Sequence, residues 1–286
     1  MLLQCTLKSK ISLDGIGVHS GASCDVSVFP APESTGIVFR SDGYEGAARF
    51  DRVSGTTLCT VLSLESGYKV STVEHLMAAF GGLGITNAIA EVHNSEVPIL
   101  DGSALPFVDA FLSAGLEQQS QCVKMLKILE VVRVQEEGKW VSLSPADSFS
   151  LNIVCDFTPQ GLKTDPAFFD FSKNDFSLEI APARSFGFFV DIEYLRKNNF
   201  ALGASLDNCV VFDDCGTPLN DGDLRLHNEP VCHKLLDAIG DLSLAQYRIL
   251  GRFDGVCPGH RLNNALLRKV FEKSSNYEIV RCIADL

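Results

Sequence analysis

The sequence predicts an α+β fold: two similar β/α-layered sandwich domains from a duplicated unit, with a site between them. Three observations carry this. Strand-like and helix-like stretches come in blocks rather than in strict alternation. Both halves repeat one order: strands, a helix carrying a histidine, a glycine-containing break, a strand, then a second helix. Between them, residues 116–124 lose periodicity and turn polar (Glu117-Gln118-Gln119-Ser120-Gln121), which predicts a linker. The expected division is therefore 1–115, linker 116–124, and 125–286, with a site drawing on both halves.

In the first half, alternating β-branched stretches predict strands over 10–18, 23–29 and 36–40, with Gly15, Gly17, Gly21, Pro30 and Pro32 as turns. Helical spacing starts at Thr72, with Val73, Leu76, Met77 and Phe80 on one stripe, and Gly81-Gly82 and Gly84 end it. Residues 88–92 read as a strand and 105–114 as a helix. In the second half, strands are expected over 126–134, 140–143, 150–157 and 176–180. A helix over 190–197 follows Phe188-Phe189. Then come a strand over 208–212, a helix over 229–244, a strand over 249–256 and a last helix over 260–273.

The 286 residues carry a formal net charge of -12 and 46% hydrophobic residues, the composition of a globular protein. Such a surface repels a polyanion, and no Lys/Arg run offsets it, so no nucleic-acid partner is expected. The N-terminus lacks a basic leader followed by a long apolar run, and no apolar stretch reaches membrane-spanning length. A cytoplasmic location follows as an expectation. The ten cysteines, from Cys5 to Cys282, form no Cys-x-x-Cys pair and read as reduced thiols serving as small core residues.

Four segments hold chemistry-bearing residues. His233, Asp237 and Asp241 fall at i, i+4 and i+8, on one stripe, with Leu235, Ile239 and Leu242 opposite. Imidazole and carboxylate at i, i+4 suit a divalent metal; the competing reading is an exposed polar face with Lys234 solvated beside Asp237. Glu74 and His75 leave the first helix side by side, with small Ala78 and Ala79 on their side, where another element has room to approach. The alternative for Glu74 is a capping box, Ser71-x-x-Glu74. His260 begins a helix, where the dipole disfavours its cation unless a carboxylate lies near. Ser185 has a hydroxyl able to donate to a developing oxyanion, or is a turn residue. Two histidines and an aspartate with an open fourth position make a catalytic rather than a structural ligand set.

These segments match a known family in order. Gly15-Ile16-Gly17-Val18-His19-Ser20-Gly21, Ser71-Thr72-Val73-Glu74-His75-Leu76 and Val97-Pro98-Ile99-Leu100-Asp101-Gly102-Ser103 resemble its motifs in the first half. Arg184-Ser185-Phe186-Gly187-Phe188, the stretch 201–208, His233 to Asp241, and Gly259-His260-Arg261-Leu262-Asn263-Asn264 do so in the second. The sequence resembles the UDP-3-O-acyl-N-acetylglucosamine deacetylases of bacterial lipid A synthesis from about Gly15 to Leu267. The resemblance implies one Zn²⁺ per chain, or Fe²⁺ in the cell, held by His75, His233 and Asp237. It implies Glu74 as general base, His260 as acid, Asp241 as the carboxylate orienting His260, and Ser185 as a polariser of the acetamide oxygen. Lys234 contacts substrate beside the metal, and Phe186 packs on the sugar.

An insert over roughly 188–215 is implied as an apolar passage for the acyl chain. Phe188, Phe189, Leu195, Phe200, Leu202, Val210 and Val211 are candidates to line it, or to be ordinary core. The partner implied is a UDP-linked acyl-glucosamine, acted on by a monomer. There are departures from the family's pattern. Ser185 stands where Thr is usual, and Cys232 where Arg often precedes the zinc histidine. Gly255-Val256-Cys257-Pro258 lacks a basic residue suited to the diphosphate, leaving Arg252 or Arg261 as substitutes. Two rival readings are a zinc amidase for another N-acyl compound and a non-enzymatic metal- or lipid-binding protein. The second needs neither Glu74 nor His260.

Overall fold

The computed structural model describes residues 2–281. The first half runs β1 (Leu3–Leu7), β2 (Ile11–Ile16), β3 (Ser23–Pro30), β4 (Ile37–Ser41), β5 (Tyr44–Ala47), β6 (Val53–Gly55), β7 (Val61–Ser63), β8 (Lys69–Val70), α1 (Glu74–Leu83), β9 (Ala88–His93), α2 (Leu105–Ala114) and β10 (Leu116–Cys122). The second runs β11 (Lys124–Ile128), β12 (Val132–Glu136), β13 (Lys139–Ser144), β14 (Phe149–Val154), β15 (Ala167–Asp170), α3 (Phe176–Glu179), β16 (Phe186–Phe188), α4 (Ile192–Lys197), β17 (Val210–Phe212), α5 (Glu229–Ser243), β18 (Arg248–Val256), α6 (His260–Glu272) and β19 (Tyr277–Arg281).

The duplication is visible in the strand order. The first sheet runs β2-β3-β9-β4-β5, with β4 and β9 parallel and the other neighbours antiparallel. The second half builds the same path, β12-β13-β18-β14-β15, with β14 and β18 its parallel pair. In each half a helix precedes the central strand, α1 before β9 and α5 before β18, and a second helix follows it. The extra strands β11 and β19 extend the second sheet beside the start of β18.

One apolar core runs through both halves. Leu76, Met77 and Phe80 of α1 and Leu235, Ile239 and Leu242 of α5 belong to it, all at most 1% exposed. The stripes expected on both helices do face the core. Between α1 and α5 the approach is backbone on backbone. A Cβ on Gly240 would lie 2.0 Å from the Glu74 carbonyl oxygen and 3.2 Å from the Ala78 nitrogen. Only a residue without a side chain fits there, and the small residues beside Glu74 leave room for it.

Several local expectations are corrected. The stretch 116–124, expected as a linker, carries strand β10, which pairs antiparallel with β1. Its ladder bonds are main-chain bonds and need no apolar alternation, and Gln119 spends its amide on Asn87 and the Ala31 carbonyl. In the stretch 176–180, Phe176–Glu179 form the short helix α3 rather than a strand; the Asp175 side chain caps it, accepting from the Ser177 nitrogen at 2.8 Å. Short apolar runs do not distinguish the two by period alone. The stretch 126–134 is two strands, broken over Leu129, Glu130 and Val131. The capping box does not form. Thr72 turns to φ 58°, Ser71 bonds the Ser95 carbonyl, and α1 begins at Glu74 itself. The strands β5 to β8, β15, β16 and β19 carried too few residues or too little alternation to be foreseen. No disulfide joins the described cysteines; Cys24, Cys59 and Cys155 are buried, Cys215 is exposed, and Cys282 lies outside the described residues.

Candidate active site

The contact of α1 with α5 brings His75 to His233 and Asp237. His75 is the second residue of α1; His233 and Asp237 lie one turn apart on α5. All three are buried, and one ligand atom from each lies within 4.8 Å of the other two. The Asp237 Oδ1 stands 3.4 Å from His233 Nε2 and 3.7 Å from His75 Nε2, and the imidazoles meet edge to face at 5.0 Å.

These groups fit a divalent metal. The Ala183 carbonyl accepts from His233 Nδ1 at 3.0 Å, which leaves a lone pair on Nε2 facing the carboxylate oxygen. Burial, with the neighbouring His233 also disfavouring the cation, lowers the His75 pKa to about 3; burial, with Lys234 adding to it against Asp237, lowers that of His233. Burial alone would raise the Asp237 pKa, but the Lys234 ammonium, bonded to Oδ2 at 2.6 Å, and the imidazoles hold it well below the usual carboxylate range. Neutral lone pairs and an ionised oxygen therefore converge with no proton to share. Two metal bonds of about 2.0–2.1 Å meeting tetrahedrally span about 3.4 Å, close to the separations seen.

Two titratable groups, Glu74 and His260, flank this cluster. Glu74 precedes His75 on α1, and its Oε2 accepts from the Thr60 nitrogen at 3.0 Å. Its Oε1 points at His260 Nε2, 3.7 Å away, a gap too wide for a direct hydrogen bond. On the far side of the ring, His260 Nδ1 bonds Asp241 Oδ2 at 2.9 Å. Burial raises the Glu74 pKa to about 7, with the Asp241 and Asp237 carboxylates adding to it and His260 opposing. For His260, burial opposes the cation, but Asp241 and Glu74 outweigh burial and raise its pKa to about 10. The helix dipole at the start of α6 is thus overcome by two carboxylates.

The other expected residues line up around this cluster with one clear division. Ser185 Oγ lies 3.3 Å from His233 Nε2. Its main chain is gripped by Gly102, whose carbonyl accepts from the Ser185 nitrogen at 2.7 Å, and by the Val210 nitrogen, which donates to the Ser185 carbonyl. Phe186 stands edge-on to His233 at 6.2 Å, with the Lys234 ammonium 5.7 Å over its face. Phe188 packs against Phe157 and Phe212. Phe189 and Leu202, by contrast, are 60% and 48% exposed and reach none of these groups, while Val210, at 1%, is core rather than lining. The loop around Leu202 is tied to the first half, where Val18 and His19 carbonyls accept from the Gly203 and Leu202 nitrogens.

Residue reasoning missed Thr60 and Asn263, which donate to Asp241 at 2.6 and 2.8 Å. It also missed Glu96, a buried carboxylate accepting from the His19 and Ser20 nitrogens and from the Thr72 hydroxyl. Asn263 sits one helical turn after His260, a spacing that pointed to it; Thr60 and Glu96 lie in irregular chain with no periodic signal.

The profile of the UDP-3-O-acyl N-acetylglycosamine deacetylases (LpxC) matches residues 4–272. Proteins named UDP-3-O-acyl-N-acetylglucosamine deacetylase are similar over nearly their whole length. That of Idiomarina loihiensis is 45% identical over 98% of this chain and 93% of its own. That of Pseudomonas entomophila is 46% identical over 98% and 94%. That of Colwellia psychrerythraea is 45% identical over 100% and 95%. With identity of this extent added to a buried two-histidine, one-aspartate cluster between repeated halves, the chain belongs to the UDP-3-O-acyl N-acetylglycosamine deacetylase family.

Proposed function

We propose that the chain is a Zn²⁺-dependent hydrolase that removes the N-acetyl group of UDP-3-O-(3-hydroxyacyl)-N-acetylglucosamine, releasing acetate and the free amine, a step of lipid A biosynthesis. The observation that carries this reading is the pairing of metal ligands with two separate proton carriers, Glu74 and His260, in one buried cluster. A metal-binding protein without chemistry has no use for either. The same ligands accept Fe²⁺. No helix among the described residues is long and apolar enough to cross a membrane. The reading takes the chain as a cytoplasmic monomer of two units, 1–115 and 125–286.

An amide is a poor electrophile with a poor leaving group. When bound, the metal supplies Lewis acidity and makes water a stronger acid at neutral pH. His75, His233 and Asp237 hold it. Glu74 Oε1 takes the proton from the attacking water. The Ser185 hydroxyl donates to the acetamide oxygen as negative charge develops there. His260 Nε2 gives a proton to the departing nitrogen, and Asp241 keeps that imidazole protonated and aimed through Nδ1. The Lys234 ammonium, raised in pKa by Asp237 against the effect of burial, stays a cation for the substrate. Phe186 presents a ring to the sugar.

The exposed ring of Phe189 and methyls of Leu202, with the half-buried Phe188 ring, support an acyl passage on the insert. Arg252 and Arg261 are paired with Asp254 and Glu136, so a diphosphate bound there exchanges one anion for another. The test is metal content and acetate release by the purified chain, before and after a chelator. One zinc per chain with chelator-sensitive, zinc-restorable turnover supports the reading. An inert or metal-free protein sinks it, and equal turnover of a short-acyl or nucleotide-free substrate sinks the substrate assignment.

A further inference from the structure

The geometry points to Thr60 as a positioning residue that fixes the base and the acid's carboxylate partner relative to each other; this rests on the function proposed above. Thr60 lies just ahead of β7 and is 1% exposed. Its nitrogen donates to Glu74 Oε2 at 3.0 Å, its hydroxyl donates to Asp241 Oδ1 at 2.6 Å, and its carbonyl accepts from the Val73 nitrogen at 3.4 Å. One residue of the first half therefore bonds both carboxylates that bracket His260, one on α1 and one on α5.

The two oxygens of Asp241 have different holders. Oδ2 accepts from His260 Nδ1 and Asn263 Nδ2, both on α6. Oδ1 accepts from Thr60. The terminal torsion of an aspartate is broad and soft, so a carboxylate held by one edge turns readily. Removing the hydroxyl frees Oδ1, lets the group rotate, and draws Oδ2 off the imidazole. A β-branched residue suits this work because its own χ1 is stiff. A neutral hydroxyl also orients the carboxylate without adding a charge that would compete with His260 for it. The main-chain N–H of the same residue aims Glu74, so the proton-taking and proton-giving groups are referenced to a single rigid point.

The test uses the full-length zinc enzyme and the variants Thr60→Val and Thr60→Ser. Thr60→Val keeps the shape and the main-chain bonds and loses only the hydroxyl. It should lower kcat about tenfold or more, a fraction of what a whole acid or base contributes, with KM within twofold and one zinc per chain retained. Thr60→Ser should restore kcat to within about threefold. The proton NMR resonance of the His260 Nδ1–H···Asp241 bond should move in Thr60→Val and return in Thr60→Ser. In an Asp241→Asn background, Thr60→Val should cost little more. A purely structural role would shift melting without these signatures. If Thr60→Val does not fold, Thr60→Ala removes the same hydroxyl without the added methyl. A kcat within twofold of wild type, a rise in KM alone, or an unmoved resonance overturns the proposal. The resonance arm reads out even where the wild-type chain proves inactive, which separates failure of this inference from failure of the functional reading.

Discussion

At His233 one ring nitrogen is committed to the Ala183 carbonyl, so the other is available to a metal in a fixed direction. Asp237 lacks such freedom of choice: it serves both imidazoles and Lys234 at once. Asp237→Ala is therefore expected to lose bound zinc altogether, measured by metal analysis after desalting. Glu74→Ala and His260→Ala should keep one zinc per chain and lose about 10²- to 10⁴-fold in turnover; loss of zinc in either contradicts the assigned roles. The α5 stripe of His233, Asp237 and Asp241 was legible because helical geometry alone sets it. That His75 joins it came only from the family resemblance, since no spacing within α1 says that α5 crosses there. Thr60 was illegible for a plainer reason: a threonine between Cys59 and Val61 looks like any other until its partners, on two helices, are brought to it.

Among the elements, α1 and α5 carry the site, and their closeness depends on Gly240. A Gly240→Ala chain has to move α5 away from the Glu74 carbonyl. Overpacking of this kind costs about 1–3 kcal/mol, and the same shift separates His75 from Asp237. Denaturant unfolding and zinc affinity should both worsen, and unchanged zinc affinity would disprove the link. The insert makes a different kind of prediction. Phe189→Ser and Leu202→Ser should raise KM for a long acyl substrate severalfold while leaving a short one nearly unaffected, because both side chains are exposed and away from the metal ligands. The long helices were readable from their period, and α1 and α2 also from the glycines that end them. The ribbon of β1 and β10 was not, because its polar face is solvated and its ladder is made by groups every residue has.

For the molecule as a whole, the proposed metal joins α1 of one half to α5 of the other, so removing it should loosen both. Chelation is expected to lower Tm in wild type, and to leave Asp237→Ala unmoved; a ligand at 100 times its Kd contributes about 2.7 kcal/mol. A second tie is buried Glu229, which accepts from the Arg184 nitrogen and side chain and from the Arg225 nitrogen, while Arg225 also reaches Asp101 of the first half. Burial alone would raise the Glu229 pKa, but the Arg184 bonds outweigh it and lower it. A depressed folded pKa means stability present above the unfolded carboxylate range and lost as pH falls through the folded value. Tm against pH should thus drop on the acid side, and Glu229→Gln should flatten that drop. The twofold repeat was visible in the order of blocks, whereas the identical strand path, with a parallel pair at the same place in each half, needed the ladder itself. The main-chain contact at Gly240 has one more consequence. Peptide groups in contact have no rotamers, so the gauge between Glu74 and the cluster of His75, His233 and Asp237 is set by atomic radii and not by how neighbouring side chains happen to settle. Core substitutions elsewhere should thin the population of folded molecules long before they blunt any one of them: specific activity per zinc-loaded molecule stays level while yield declines.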